Sequence, residues 1–183
     1  MNNIMFCSGE NNRAVGVLND FDSALFVQVN PQYGSLHFDR RFRTGTAPFM
    51  ALELLDETDK IQCVRHDLES FLWVTIWCTS HYHGGIKTTM AFQDWQKFNI
   101  TELAPQKGFF LFTLGVWEPT AQFGRVAVWL GPLFHLFCDA RNARQNLIFR
   151  LKYGRGQTSE TLAMETLGGH TTYQTFLHIL GDG

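Results

Sequence analysis

The chain has 183 residues, of which 45% are hydrophobic and 17% are charged. This length favours one domain, or one and a part, and the apolar fraction is enough to build a core, which argues against global disorder. The formal net charge of −2, from 15 basic and 17 acidic residues, argues against the clustered positive charge of a nucleic-acid-binding protein.

The four cysteines lie far apart in the sequence, at Cys7, Cys63, Cys78 and Cys138. Because no Cys-x-x-Cys pair exists, neither a zinc knuckle nor a thioredoxin-like site is predicted, and a disulfide framework is not expected. We interpret the cysteines as mostly buried thiols. No signal peptide or transmembrane segment is recognisable in the sequence. We therefore expect a cytoplasmic protein, with the nucleus as the other compartment, and neither a membrane nor a nucleic-acid partner.

The first predicted element is a β-hairpin. Short apolar runs at residues 4–7 and 14–18 flank a polar connection that contains glycine and asparagine. Residues 23–48 are irregular and are punctuated by glycine and proline, which indicates a long ordered loop; loops of this length in a compact domain are usually functional or disordered. A short helix is predicted over residues 50–55, because Met, Ala, Leu and Glu are good helix formers.

The clearest helix covers residues 67–79, with Asp67 as its expected N-cap. Apolar side chains lie on nearly every side of this helix, so it is predicted to be buried at the centre of the domain. Residues 80–85 follow as a predicted loop, in which His81 and His83 are not expected to bind a metal.

The second half of the chain contains weaker helical signals, separated by a polar stretch that includes Pro105. Helical or mixed segments are predicted at residues 107–113 and 125–141, residues 146–152 are ambiguous, and a closing helix is predicted over residues 171–180. The expected fold is therefore mainly α with a small β-hairpin.

Four short motifs occur in a fixed order. Asn3 precedes the first strand, Asp20-Phe21-Asp22 follows the second, and residues 43–53 read Arg-Thr-Gly-Thr-Ala-Pro-Phe-Met-Ala-Leu-Glu. The sequence Arg-His-Asp-Leu-Glu-Ser at 65–70 then opens the long helix. In this order they resemble the C-terminal lobe of a protein kinase, most closely that of the fungal-type protein kinases. The resemblance is carried by residues 3–71 and is diffuse beyond them, although residues 165–173 also look similar to that family.

The resemblance implies a magnesium site. Asn3 and Asp20 match the positions that hold Mg²⁺ against the phosphates of ATP, and oxygen ligands suit this hard cation. Asp22 stands where most kinases have glycine and would add a carboxylate near the metal. Read by itself, Asp20 is more often a turn residue at the end of a strand, and the ordered set of motifs reverses that preference.

The resemblance also assigns structural roles in the activation segment and beside it. Glu53 is expected to be the partner of a buried ion pair, with Arg141, Arg144 and Arg150 as the candidate arginines; the alternative is an exposed helix carboxylate. Asp67 would hydrogen-bond the catalytic-loop backbone. Residues assigned to the end of the activation segment are Arg43, Thr44 and Thr46. Arg40, Arg41 and Arg43 either receive a phosphate or form a solvated basic stretch.

Several parts of the kinase signature are missing from these residues. There is no Gly-rich phosphate loop, no β3 lysine and no helix-C glutamate, and the catalytic aspartate would lie five residues before Asn3, ahead of Met1. General base catalysis alone contributes about a hundred- to ten-thousand-fold. The family activity is ATP-dependent phosphorylation of Ser or Thr in proteins, and this chain is expected to be inactive or incomplete, with weak or absent binding of Mg²⁺ and ATP.

Three explanations stay open at this point. The chain is a truncated gene model of a kinase, a non-catalytic pseudokinase-like module that binds a protein partner, or a decayed gene product without activity. In each case residues 1–183 would form one partial kinase-like domain.

Overall fold

The structure is a computed structural model that describes residues 4–8, 14–18, 45–57, 62–83, 86–87, 92–113, 119–154 and 166–181. The chain divides into two compact units, residues 1–39 and residues 40–183. The first unit contains strands β1 (Ile4–Ser8) and β2 (Ala14–Leu18). They pair antiparallel, with Ile4 opposite Leu18 and Ser8 opposite Ala14. The predicted hairpin is therefore confirmed.

The second unit is mainly helical, as the sequence predicts. Its helices and strands are α1 (Leu52–Asp56), α2 (Val64–His81), β3 (Tyr82–His83), β4 (Ile86–Lys87), α3 (Ile100–Phe112), α4 (Ala127–Tyr153) and α5 (Tyr173–Leu180). Strands β3 and β4 form a short antiparallel pair. Among the described residues, 3₁₀ turns cover Ala47–Phe49, Gln93–Gln96 and Ala121–Val126. None of the helices in the described ranges is both long and apolar enough to cross a membrane.

Helix α2 lies in the core of the second unit, which confirms the predicted burial. It packs against the 3₁₀ turn Ala47–Phe49 and against α4 and α5. Leu72, Trp73 and Ile76 are at most 1% exposed. The exposed positions form one narrow stripe at Val64, Asp67 and Phe71. This spacing of three and four residues follows one side of a helix, so the other sides are free to enter the core.

The remaining helices surround this core. Helix α1 packs against α3, and α3 packs against α4. Trp73 contacts Trp95 edge to face, with ring centroids 5.7 Å apart, and Phe49 contacts Trp77 in the same way at 5.6 Å. Such aromatic pairs add about 0.5–1.5 kcal/mol beyond the burial of their area.

The beginning of α2 differs from the prediction, and Asp67 is not the N-cap. The helix begins at Val64, with Cys63 at the N-cap position. The backbone N–H of Cys63 donates to Nδ1 of His66 at 3.0 Å, so a histidine three residues into the helix closes the capping box. Asp67 lies within the first turn of the helix, exposed, and its Oδ1 accepts from Nε2 of Gln62 at 2.7 Å.

The prediction of a loop over residues 80–85 is wrong for residues 80–83, which the structure describes. Ser80 and His81 are buried in the last turn of α2, and Tyr82–His83 forms a strand. Oγ of Ser80 donates to the carbonyl of Ile76, and the ring of His81 stacks on Trp77 with centroids 4.1 Å apart. These contacts keep the polar side chains inside the helical core. Within the described residues no cluster of His, Cys, Asp and Glu has the makeup of a metal site.

Two proline-containing segments are more helical than predicted. The polar stretch around Pro105 belongs to α3, because Asn99 caps the helix: its Oδ1 accepts from the N–H of Glu102 at 2.9 Å, and Glu102 Oε2 accepts from the N–H of Asn99 at 3.1 Å. Apart from residues 125 and 126, which end a 3₁₀ turn, the segments at 125–141 and 146–152 belong to the single helix α4, which includes Pro132.

The other two predicted helices are confirmed with shifted ends. The closing helix begins at Tyr173, where Thr172 caps it, and the short helix predicted over residues 50–55 covers Leu52–Asp56.

Candidate functional site

Glu53 is the centre of a buried charge cluster between α1, α2 and α4. Its side chain is 7% exposed, which excludes the alternative of an exposed helix carboxylate. Oε1 lies 3.0 Å from Nε of Arg144, Oε2 contacts Arg65, and Oε2 lies 3.4 Å from Nε2 of His66. A buried carboxylate requires such charged and hydrogen-bonding partners, because its desolvation is otherwise strongly unfavourable.

Further ion pairs surround this cluster at the rim. Arg144 also pairs with Glu57, and Arg141 Nη2 lies 3.7 Å from Oδ2 of Asp56. Arg144 is therefore the candidate arginine that contacts Glu53. Arg141 pairs with a neighbouring carboxylate of the same short helix.

Glu69 connects the beginning of α1 to α2. Its Oε1 accepts from the backbone N–H of Leu52 at 2.8 Å and from Nε1 of Trp73 at 2.9 Å. The N–H groups in the first turn of a helix have no partner within the helix. Glu69 supplies one from the neighbouring helix, so α1 is held in place by a buried carboxylate.

Lys107 holds the segment that precedes α1 in place, as a buried hydrogen-bond donor. This side chain of α3 is fully buried, and its Nζ donates to the carbonyls of Pro48, at 3.1 Å, and Met50. Nζ also lies 4.2 Å from the centroid of a Trp73 ring. Burial lowers the pKa of Lys107 to about 7, although the negative charge of Glu69 opposes this effect.

The cavity beside Glu53 is small. It has a volume of about 40 Å³ and is lined by charged side chains together with Leu111, Phe137 and Thr171. A site for a cofactor-sized ligand is usually about 300 Å³ or larger. This cavity therefore accommodates water molecules rather than a nucleotide. The carboxylate of Glu53 is already neutralised by the buried cations of Arg65 and Arg144. The cluster therefore serves to hold α1 in place.

Three of the predicted site residues lie in the described part of the chain. Glu53 is the hub of the buried cluster, Asp67 is exposed on the first turn of α2, and Thr46 is exposed before a 3₁₀ turn, where its carbonyl accepts from the N–H of Phe49 at 2.8 Å. Asn3, Asp20 and Asp22, predicted for magnesium and ATP, lie outside the described residues, and so do Arg43 and Thr44.

The sequence did not identify Arg65 and His66 as partners of Glu53, nor Lys107 as the partner of the segment before α1. A signal for Lys107 is present, since Leu103 and Leu111 lie four residues before and after it, and all three are at most 2% exposed. A residue at this spacing shares a helix face with its apolar neighbours. No comparable pattern marks Arg65 or His66, because their partner Glu53 comes from another helix.

The comparison with protein families identifies one match. Residues 1–79 match the family described as fungal protein kinase. The predicted resemblance to this family is thus confirmed over that segment, which contains the four motifs and most of α2. No curated protein and no solved structure is significantly similar to the chain.

Proposed function

We propose that residues 1–183 form the C-terminal lobe of a protein kinase-like domain, whose family activity is transfer of the ATP γ-phosphate to Ser or Thr of a protein substrate. The observation that carries this proposal is the buried contact of Glu53 with Arg144. Glu53 ends the motif at 43–53, and this motif lies within the segment that matches the kinase family.

The contacts of the segment 46–57 support the proposal physically. Phosphoryl transfer depends mainly on positioning and on neutralisation of charge. A segment that presents a protein substrate must therefore be held rigidly. Three helices hold it through buried polar contacts: α3 through Lys107, α2 through Glu69, and α4 through Arg144, which pairs with Glu53 of the segment itself.

The metal site of the proposal consists of Asn3 and Asp20, with Asp22 as a further carboxylate. Their oxygen atoms are of the type that Mg²⁺ prefers. When bound, Mg²⁺ would neutralise the ATP phosphates. We propose that residues 1–183 alone bind Mg²⁺ and ATP weakly or not at all, because this sequence contains no Gly-rich loop and no β3 lysine.

The assay for this proposal measures phosphate transfer and thermal stability together. The purified chain is incubated with radiolabelled ATP, Mg²⁺ and a generic protein substrate, and its melting temperature is recorded with and without Mg²⁺ and ATP. We expect neither transfer nor a rise of the melting temperature, since binding to the native state must raise it. Steady transfer that Asp20→Ala abolishes, while Asp94→Ala leaves it unchanged, would refute the proposed inactivity.

The fold part of the proposal needs a separate test. An experimentally determined structure of the chain should superimpose α2, α3 and α4 on the corresponding helices of a protein kinase C-terminal lobe, with Glu53 at the end of the activation segment. A different helix arrangement would reject the assignment whatever the activity assay gives.

A second candidate function is a non-catalytic module that binds a protein partner. Exposed apolar side chains favour it: on α3, Phe109 is 69% and Phe112 59% exposed, and on α4, Val128 is 73% exposed. Such side chains are typical of interaction surfaces when they are contiguous. A pull-down that loses its partner on Phe109→Ser and Phe112→Ser would support this function, and a monodisperse monomer without a partner would reject it.

A further inference from the structure

Cys63, His66 and Glu53 form a hydrogen-bonded series at the beginning of α2. Sγ of Cys63 lies 3.5 Å from Nδ1 of His66, and Nε2 of the same ring lies 3.4 Å from Oε2 of Glu53. His66 is fully buried and Glu53 nearly so, whereas Cys63 is partly exposed. A thiol, an imidazole and a carboxylate in this order are the components of an activated nucleophile.

We propose that Cys63 is a modification site, an activated thiol that reacts with small disulfides such as glutathione disulfide, with His66 as its proton acceptor and Glu53 as the residue that positions His66.

The role of each group follows from the contacts. Nδ1 of His66 accepts the backbone N–H of Cys63, so the neutral ring carries its proton on Nε2 and directs it toward Glu53. When Nδ1 takes the thiol proton, it exchanges the contact with this N–H for one with the thiolate sulfur. The carboxylate of Glu53 then stabilises the positive charge of the imidazolium.

The position of Cys63 also favours its thiolate. It is the N-cap of α2, which has 18 residues, and the N-terminal end of a helix stabilises negative charge. Burial and the negative charge of Glu53 would raise the pKa of the Cys63 thiol, but the hydrogen bond and charge of His66, with the charge of Arg65, lower it on balance. At His66 the signs are reversed: burial would lower the pKa of the ring, but its hydrogen bonds to Cys63 and Glu53 raise it on balance.

Two other cysteines of the second unit provide an internal contrast. Burial raises the pKa of the Cys78 thiol and of the Cys138 thiol, and Asp139 adds to the effect at Cys138. Sγ of Cys138 donates to the carbonyl of Leu111 at 3.3 Å. Because a raised pKa leaves less thiolate at neutral pH, both thiols are expected to be less reactive than Cys63.

The reaction is a thiol–disulfide exchange that needs no further oxidant. The Cys63 sulfur attacks one sulfur of glutathione disulfide, the sulfur–sulfur bond of glutathione disulfide breaks, and a new one joins Cys63 to glutathione. The leaving glutathione thiolate takes up the proton that His66 accepted. One disulfide is thus consumed and one is formed.

The test compares the rate at which each cysteine reacts in the native chain with the rate of the same cysteine in the unfolded chain. The protein is incubated with glutathione disulfide at pH 7, with and without urea, and each cysteine-containing peptide is quantified by mass spectrometry. For each unit by which the pKa of a thiol falls, the thiolate fraction at pH 7 rises about tenfold and the nucleophilicity of the thiolate falls about threefold. The rate of exchange should therefore rise about threefold per unit. Cys63 should therefore react faster in the native chain than in urea, and Cys78 and Cys138 should react more slowly in the native chain.

Substitution of His66 tests the proposed proton acceptor. His66→Asn retains an acceptor for the Cys63 N–H but removes the base, so the Cys63 rate should fall to that of the unfolded chain. Cys138→Ser is the matched control and should leave the Cys63 rate unchanged. Cys7 lies outside the described side chains, and its peptide is resolved separately by mass.

Two results would overturn the inference. One is a Cys63 rate in the native chain that is equal to or below the rate in urea. The other is a folded His66→Asn variant that retains the wild-type midpoint in the pH dependence of the Cys63 rate, because His66 would then be only structural. Since His66 is buried, its replacement can unfold the chain. In that case the wild-type profile decides, and its midpoint must lie below that of the unfolded chain.

Discussion

Replacing Lys107 by methionine should remove a specific pH dependence of stability. Methionine keeps the length and most of the volume of the side chain, but it has neither the charge nor the hydrogen-bond donors. A neutral amine has two N–H groups, enough for the carbonyls of Pro48 and Met50. A protonated amine must in addition be kept out of water, which is unfavourable for a side chain that is 0% exposed.

The sign and size of the effect follow from proton linkage. The pKa of Lys107 is about 7 in the native chain, against 10.5 for the ordinary amine. Between these values the unfolded chain binds more protons, so stability rises with pH. Integration from pH 7 to pH 9 gives a gain of about 2 kcal/mol for the wild type, which Lys107→Met lacks. The full contribution of the neutral amine is reached above pH 10.5 and is lost as the pH falls through about 7.

Urea unfolding at pH 7 and pH 9 measures this difference. The free energy of unfolding of the variant is subtracted from that of the wild type at each pH, so that contributions from cysteines and other groups cancel. The difference should grow by about 2 kcal/mol toward pH 9.

An exposed lysine serves as the control. Lys97 is 70% exposed and pairs with Asp94, so Lys97→Met should show no such growth. If the Lys107→Met difference stays constant, or grows toward pH 7 instead, the reasoning about the buried amine is refuted.

The remaining predictions concern the charge cluster and the core. Glu53→Gln leaves two arginines beside a neutral amide and should lower the free energy of unfolding by about 3–5 kcal/mol, whereas Asp94→Asn at the exposed pair should change it by less than about 1 kcal/mol. Leu72→Ala creates a cavity in the core and should lower it by about 2–5 kcal/mol, but the adjacent and 40% exposed Phe71 should lose clearly less on the same substitution. Urea unfolding at pH 7 checks both pairs, and equal losses within either pair would contradict the burial argument.

Local sequence determined the elements whose signal is periodic. The hairpin was predictable because two short apolar runs flank a polar turn, and α2 because its apolar residues are too numerous for a surface helix. The resemblance to the fungal protein kinase family was predictable because short motifs in a fixed order can be read without the packing around them, and the match of residues 1–79 bears it out. Helix α3 was not recognised before Lys107, since Pro105 outweighed the capping signal of Asn99 and Glu102.

Only the tertiary structure decided which polar residues meet. The partners of Glu53 come from α2 and α4, and those of Lys107 come from a segment 57 to 59 residues away in sequence. No local pattern specifies such pairs, because each depends on the packing of separate helices. The same holds for Cys63, which the sequence presents as one of four scattered thiols. It acquires its proton acceptor when α2 forms, and a carboxylate behind that acceptor when α1 packs beside it.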